Sequence, residues 1–329
     1  MSTSPVSLAY VVLAFAALTL TQTTNYSTSL VPNDLVYQYQ PPTWVENLAL
    51  RPNGSILPIT TTSPLLNQLD PETGALKLVH DFSAYGNAIQ GITTVRGDVF
   101  VVNVLTCDIL ETLACTPGSV TSWVVEFCDE KGKEKVRVGK VAAFPDAGFL
   151  NGIAALSEET VLMADSYLSG VWSLSLTTGA TELLFTDEAM NGTAGIATGV
   201  NGLRVRPEEG LLYFTNSAKG TFNRIPISPA TGQKAGAAQT IASGLAGPDD
   251  FEIDDDAGVA YVCNGALDQV LRVPLDGAEI EVVAEVPGPT CVRWDVGGEK
   301  RAYVSTIGGL QQYIDQNVTV GGAVYALEV

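Results

Sequence analysis

The chain has 329 residues, with 17 Lys and Arg against 36 Asp and Glu and a net charge of −19. That balance argues against nucleic acid or an anionic membrane surface as partner, and in favour of a soluble acidic exterior. His80 is the single histidine, and the five cysteines form no CxxC or Cys/His cluster, which sets aside Ser-His-Asp and Cys-His catalysis and a structural zinc site.

In chain order, the first feature is the apolar run LAYVVLAFAALTL, Leu8 to Leu20, followed by polar TQTTNYST. It is shorter than the roughly 20 residues a membrane span needs and resembles the apolar part of a secretory leader. Residues 1–21 are therefore expected to be a signal peptide, removed on the way out of the cell and leaving no membrane attachment. Sequons at Asn25, Asn53, Asn191 and Asn317 fit that route. Cys107 and Cys115 share one loop and are the expected disulfide of an oxidising compartment, while Cys128, Cys263 and Cys291 carry no assigned pairing.

Next comes a strand-like stretch, NDLVYQYQ (33–40), within an N-terminal segment of residues 22–43. From there a pattern repeats: polar residue, strand, turn, strand. It begins at Glu46, Gln90, Asn151, Asn201, Asp249 and Thr290, with spacings of 44, 61, 50, 48 and 41 residues. Most units continue into a second hairpin, as in GVWSLSLTTGATELLF. Four strands per ~40–50 residues is the signature of a propeller blade. The pattern predicts an all-β fold in which residues 44–329 form one six-bladed β-propeller. The 33–40 strand should close the ring against the last blade, near GAVYALEV, since an open ring would expose strand edges.

In such a ring the first strand of each blade lines the central channel. Glu46, Gln90, Asn151, Asn201, Asp249 and Thr290 should then surround one channel mouth. Two loops on that face are long: 105–119, carrying Ile109, Leu110 and Leu113, and 306–322, carrying Leu310, Tyr313 and Ile314. Long loops on a compact fold are often lids. Apolar lids over a polar ring predict a pocket for a largely apolar small molecule.

The Glu, Asn, Asn, Asp order at 46, 151, 201 and 249, with VNGLRV, GLLYFTNS and GPDDFEID, resembles the regucalcin/gluconolactonase family of six-bladed propellers. The resemblance implies that Glu46, Asn151, Asn201 and Asp249 hold Ca²⁺ or another divalent cation and that the protein hydrolyses lactones or esters. Two contexts depart from the family pattern: Glu46-Asn47-Leu48 stands where Glu-Gly-Pro is usual, and Asp249-Asp250 where Asp-Gly is usual. With the leader and the apolar lids, the chain is closer in character to secreted fungal propellers of natural-product pathways, some of them hetero-Diels–Alderases. Those join a tropolone quinone methide to a sesquiterpene such as humulene.

That resemblance implies a cyclase needing no cofactor. Gln90, Asn151, Asn201 and Asp249 would be catalytic, with the three amides as hydrogen-bond donors. Glu46, Thr290 and the six lid residues would contact substrate. The cyclase is the leading expectation, ahead of a cation-dependent lactonase and a non-enzymatic binding propeller. A wide dry pocket would favour the first, a bound cation the second and a plugged channel the third. Oligomeric state is left open by the sequence.

Overall fold

Short turns between strands of alternating burial produce six four-stranded antiparallel sheets in this computed structural model, which describes residues 26–112, 114–296 and 301–329. The expected leader, Asn25 and Leu113 lie outside the described residues. Blade 1 contains Val45–Leu50, Ile56–Thr60, Leu65–Leu69 and Leu76–Asp81; blade 2 contains Ala88–Arg96, Val99–Leu105, Thr121–Asp129 and Glu134–Ala143. Leu150–Ser157, Thr160–Asp165, Gly170–Ser175 and Thr181–Thr186 make blade 3. Blade 4 is Val200–Arg206, Leu211–Asn216, Thr221–Pro226 and Gln239–Ser243. Blade 5 comprises Pro248–Asp254, Val259–Asn264, Gln269–Pro274 and Glu281–Glu285, and blade 6 Pro289–Trp294, Arg301–Thr306 and Ala323–Glu328.

Blade 6 takes its fourth, outermost strand from the N-terminal segment. Asn33–Gln38 pairs antiparallel with Ala323–Glu328, Asn33 opposite Leu327 and Gln38 opposite Ala323. The ring is thus closed by the strand expected from the sequence, two residues shorter than read there. A second pairing was not foreseen. Ser27–Thr28 runs parallel to Glu281–Glu285, so one short segment edges blades 5 and 6 together.

Hydrophobic packing lies between the blades. The interface of blades 1 and 2 is filled by Leu57, Ile59, Phe82, Phe100 and Phe127, among others. Leu48, Ile56, Tyr303 and Val324 fill that of blades 6 and 1, and each other interface has its own cluster. Second strands such as VFVVNVL and VAYVCN are almost wholly buried because neighbouring sheets cover both faces, which accounts for their continuous apolar runs. Outermost strands such as EKVRVGKVAA are charged and mostly exposed, as unpaired edges require. His80 sits on one of these outer strands, edge-on to Phe82 with ring centroids 4.5 Å apart, a packing role.

Cys107 and Cys115 are bridged, and Cys128, Cys263 and Cys291 are free thiols. The sequon residues Asn53, Asn191 and Asn317 are all exposed.

Candidate functional site

Each of the six first strands carries a register shift at its start. The shifts fall between Val45 and Asn47, Ile89 and Gly91, Leu150 and Ile153, Val200 and Leu203, Pro248 and Phe251, and Pro289 and Cys291. Every one contains the residue singled out by the repeat. A bulge frees one residue from the ladder and re-aims its side chain. Here Glu46, Gln90, Asn151, Asn201, Asp249 and Thr290 all turn into one cavity at the channel mouth.

The residue after each of the six explains how close these strands can come. In blades 2, 3 and 4 it is glycine. A Cβ on Gly91 would lie 2.6 Å from the Asn151 carbonyl oxygen, and one on Gly152 2.5 Å from that of Asn201. In blades 5, 6 and 1 the same position holds Asp250, Cys291 and Asn47, which fill the channel instead. Asn47 Nδ2 donates to Asp250 Oδ2 at 2.8 Å, and the Cys291 thiol donates to Asn47 Oδ1 at 3.1 Å. Asp250 is further held by Arg204 at 3.0 Å and Arg293 at 2.7 Å. The two departures from the family pattern thus form a plug below the ring, while the cavity above it stays open.

Hydrogen bonding divides the ring into a tied arc and an untied corner. Glu46 accepts from Trp44 Nε1 at 2.5 Å and from Gln90 Nε2 at 2.6 Å, and Gln90 Nε2 also faces Asn151 Oδ1 at 3.3 Å. Thr290 Oγ1 donates to the Val45 carbonyl at 2.7 Å. By contrast Gln90 Oε1, Asn201 Oδ1 and Asp249 Oδ1 are enclosed without a hydrogen-bond partner. The side-chain nitrogens of Gln90 and Asn201, expected as donors, are therefore turned to the protein, and what these two leave unpaired in the cavity is oxygen.

Both carboxyls resist ionisation. Burial pushes Glu46 up to about 8, with Asp250 adding repulsion and the Trp44 hydrogen bond opposing it. Asp249 is raised well above the usual carboxylate range by burial first, then by Glu46 and Asp250, with Asn201 offsetting part of it. Burial and mutual repulsion thus bias both carboxyls towards the uncharged form.

A divalent cation needs several free, converging oxygens. Both Glu46 oxygens already accept N–H groups, and the Asn151 oxygen faces another. Among the described residues no group of three His, Cys, Asp or Glu side chains is placed to hold a metal. Of the four positions that the family resemblance implies, Asn201 Oδ1 and Asp249 Oδ1 are free to meet a cation, whereas Glu46 and Asn151 would first have to release Trp44 and Gln90.

Over this polar floor lies an apolar roof. Ile109 and Ala114 come from the disulfide-closed hairpin of blade 2, Phe149 and Tyr167 from blade 3, Ile307 and Leu310 from blade 6, and Trp44 from the entry to blade 1. The enclosed volume is about 230 Å³. Not every expected lid residue reaches it. Leu110 points outward and is 41% exposed. Tyr313 and Ile314, on the short helix Leu310–Ile314, are buried behind the wall, Tyr313 edge-on to Trp44 at 5.0 Å.

One wall segment was missed. Residues 187–199, between blades 3 and 4, contribute Gly195, Ile196, Ala197 and Thr198. It connects two repeat units and lies within neither. Its length was the available signal: 13 residues, against 3 to 6 in the connections leading into blades 2, 3, 5 and 6.

Residues 92–308 match the family model described as SMP-30/Gluconolactonase/LRE-like region. A protein of Phoma sp described as a candidate hetero-Diels-Alderase is 27% identical over 323 residues, covering 86% of this chain and 89% of that protein. A protein of Sarocladium schorii with the same description is 28% identical over 221 residues. That match covers 60% of this chain and spans 54% of the relative's length. A solved luciferin-regenerating enzyme superposes with a TM-score of 0.64 at 13% identity, covering 91% of this chain and 95% of its own. A calcium-binding regucalcin from Agrobacterium tumefaciens gives 0.62 at 15%, with coverages of 92% and 95%. At such identities the solved structures speak to the fold alone.

Proposed function

The chain belongs to the SMP-30/gluconolactonase/LRE-like family, and from that premise we propose that it is a cyclase whose reaction is an intermolecular hetero-Diels–Alder cycloaddition. The observation that carries this reading is a floor of converging polar side chains under an apolar roof, in which burial favours the protonated form of Asp249. The descriptions of the two curated relatives support it. The substrates proposed are a quinone methide of tropolone type and a humulene-like terpenoid.

In this reaction an oxygen-containing diene and an alkene form one C–C and one C–O bond. Three π bonds become one, and no proton or electron is gained or lost. The protein therefore needs neither nucleophile nor base; it must hold two apolar partners in a reactive pose and polarise the diene carbonyl. Asp249, whose burial favours the protonated form, is the donor for that carbonyl, in place of the Gln90 and Asn201 N–H groups bonded to the protein. An acid kept protonated by an apolar, repulsive setting is a recognised way to donate a hydrogen bond at neutral pH. Trp44, Ile109, Phe149, Ile307 and Leu310 hold the hydrocarbon partner.

A cavity of about 230 Å³ lies under the roughly 300–1,000 Å³ usual for drug-sized ligands. Both ring systems enter only if the roof yields, which would require displacement of Ile109 and Ala114 on the 105–119 loop or of Ile307 and Leu310 on the 306–322 loop.

The decisive variants are Asp249→Asn and Asp249→Leu, assayed for cycloadduct formation above the uncatalysed rate. The amide keeps an N–H donor and retains the rate within about tenfold, while the leucine loses roughly 10²-fold. Equal losses in both would contradict a neutral donor at this position.

A further inference from the structure

We propose that Asn201 is a specificity-determining acceptor, and that the molecule bound in this cavity is an otherwise apolar one that presents a hydroxyl hydrogen to Asn201 Oδ1. The inference rests on the cavity being the substrate site and names what the substrate must carry there.

The orientation of the amide follows from its neighbours. Asn201 Nδ2 lies 3.0 Å from Ser217 Oγ, and Ser217 Oγ lies 2.8 Å from the Pro248 carbonyl oxygen. A carbonyl can only accept, so the single hydroxyl proton of Ser217 goes to Pro248, and Ser217 can only accept from Asn201. The nitrogen of Asn201 is thereby fixed towards Ser217 and its oxygen towards the cavity. Crystallographic amides are normally assigned by such networks, and this one has a single consistent direction.

The resulting acceptor is unsatisfied. Asn201 is 7% exposed, its Oδ1 has no partner, and it lines the cavity with Ser217 and Asp249. An enclosed amide oxygen without a donor is costly, and a ligand that supplies one recovers that cost, whereas an ether or a bare hydrocarbon leaves it in place. Gln90 does not carry the same weight. Its amide faces the Glu46 carboxyl, which can donate or accept according to its protonation, so either orientation of Gln90 is consistent. The roof around Asn201 is apolar, including Phe149, Ile196 and Trp44, so the rest of the ligand is hydrocarbon or aromatic.

The test is equilibrium binding of two probes of nearly the same shape, 1-naphthol and 1-methoxynaphthalene, to the full chain by calorimetry after EDTA treatment. The expected result is a preference for the naphthol of about five- to tenfold. Asn201→Leu, checked for an unchanged melting transition, should bind both probes alike. Ser217→Ala, which frees the amide to rotate, should narrow the preference without abolishing binding.

Equal affinity of the two probes for the unmodified protein would overturn the assignment. So would a preference that survives Asn201→Leu, or failure of both probes to bind. A preference that appears only when Ca²⁺ is added would assign the oxygen to a cation and overturn it as well. Because no turnover is measured, such a failure leaves the cyclase reading to be judged by its own assay.

Discussion

At Glu46 and Asp249, burial outweighs the favourable contacts that the carboxyls make. Glu46 stands at about 8, against 4.5 when unburied, although Trp44 and Gln90 both donate to it. A group whose folded-state pKa is raised supports the fold fully only below its unfolded value. The Glu46 contribution is therefore whole below about 4.5, declines as pH rises from there to about 8, and is flat above. Denaturant titrations of the wild type and Glu46→Gln across that window should diverge, the variant losing less stability as pH rises. Parallel curves would contradict a buried neutral Glu46. The six polar positions at this scale were legible from the sequence, because the same residue class recurs at the same place in every unit. The hydrogen-bond directions were not. Whether Asn201 donates or accepts is decided by Ser217 and by the carbonyl of Pro248, which neither spacing nor composition reveals.

Blades meet through apolar wedges, and besides the Asp250 cluster a polar clasp joins blades 1 and 2. Arg51, 2% exposed at the end of the first strand of blade 1, reaches Asp98 at 2.6 Å and Glu134 at 2.7 Å, both on blade 2. It also bonds Gln68 at 2.5 Å and lies 3.6 Å over the Phe127 ring. Arg51→Ala would leave Asp98 without its cation, leave Glu134 only Lys77 at 3.9 Å, and open a gap against Phe127. The expected cost is about 2–3 kcal/mol in chemical unfolding, less than for a fully buried pair because Asp98 and Glu134 are 25% and 41% exposed. A loss below about 1 kcal/mol would mean that the clasp behaves as an exposed surface pair.

Strand elements were the easiest part to anticipate, because alternation and turn residues are local signals. The roof was only half legible. The 105–119 and 306–322 loops stood out by length, but the direction of each side chain depends on packing: Ile109 and Leu310 face the cavity, Leu110 faces solvent, and Tyr313 packs against Trp44. The 187–199 connection carries no strong motif, and the bulges that aim the ring depend on pairing with a neighbouring strand.

For the molecule as a whole, closure of the ring is what turns six separate strand starts into one site. Asn33–Gln38 supplies the last strand of blade 6, and Ser27–Thr28 lies along blade 5, so the N-terminal segment covers edges that would otherwise be free to pair elsewhere. With the ring closed, Glu46 of the first blade comes round to meet Thr290 of the last, whose hydroxyl bonds the carbonyl beside it. The same scaffold supports different chemistries, so the fold leaves open whether this cavity cyclises or hydrolyses. The most direct measurement gives the purified full chain, after EDTA treatment, a tropolone-type quinone methide with humulene, and separately an apolar lactone with and without Ca²⁺. A cyclase of this kind should give a single cycloadduct stereoisomer faster than in buffer, at a rate unchanged by Ca²⁺, and no lactone hydrolysis. Cycloaddition at the buffer rate, together with Ca²⁺-dependent opening of the lactone, would contradict the cyclase reading.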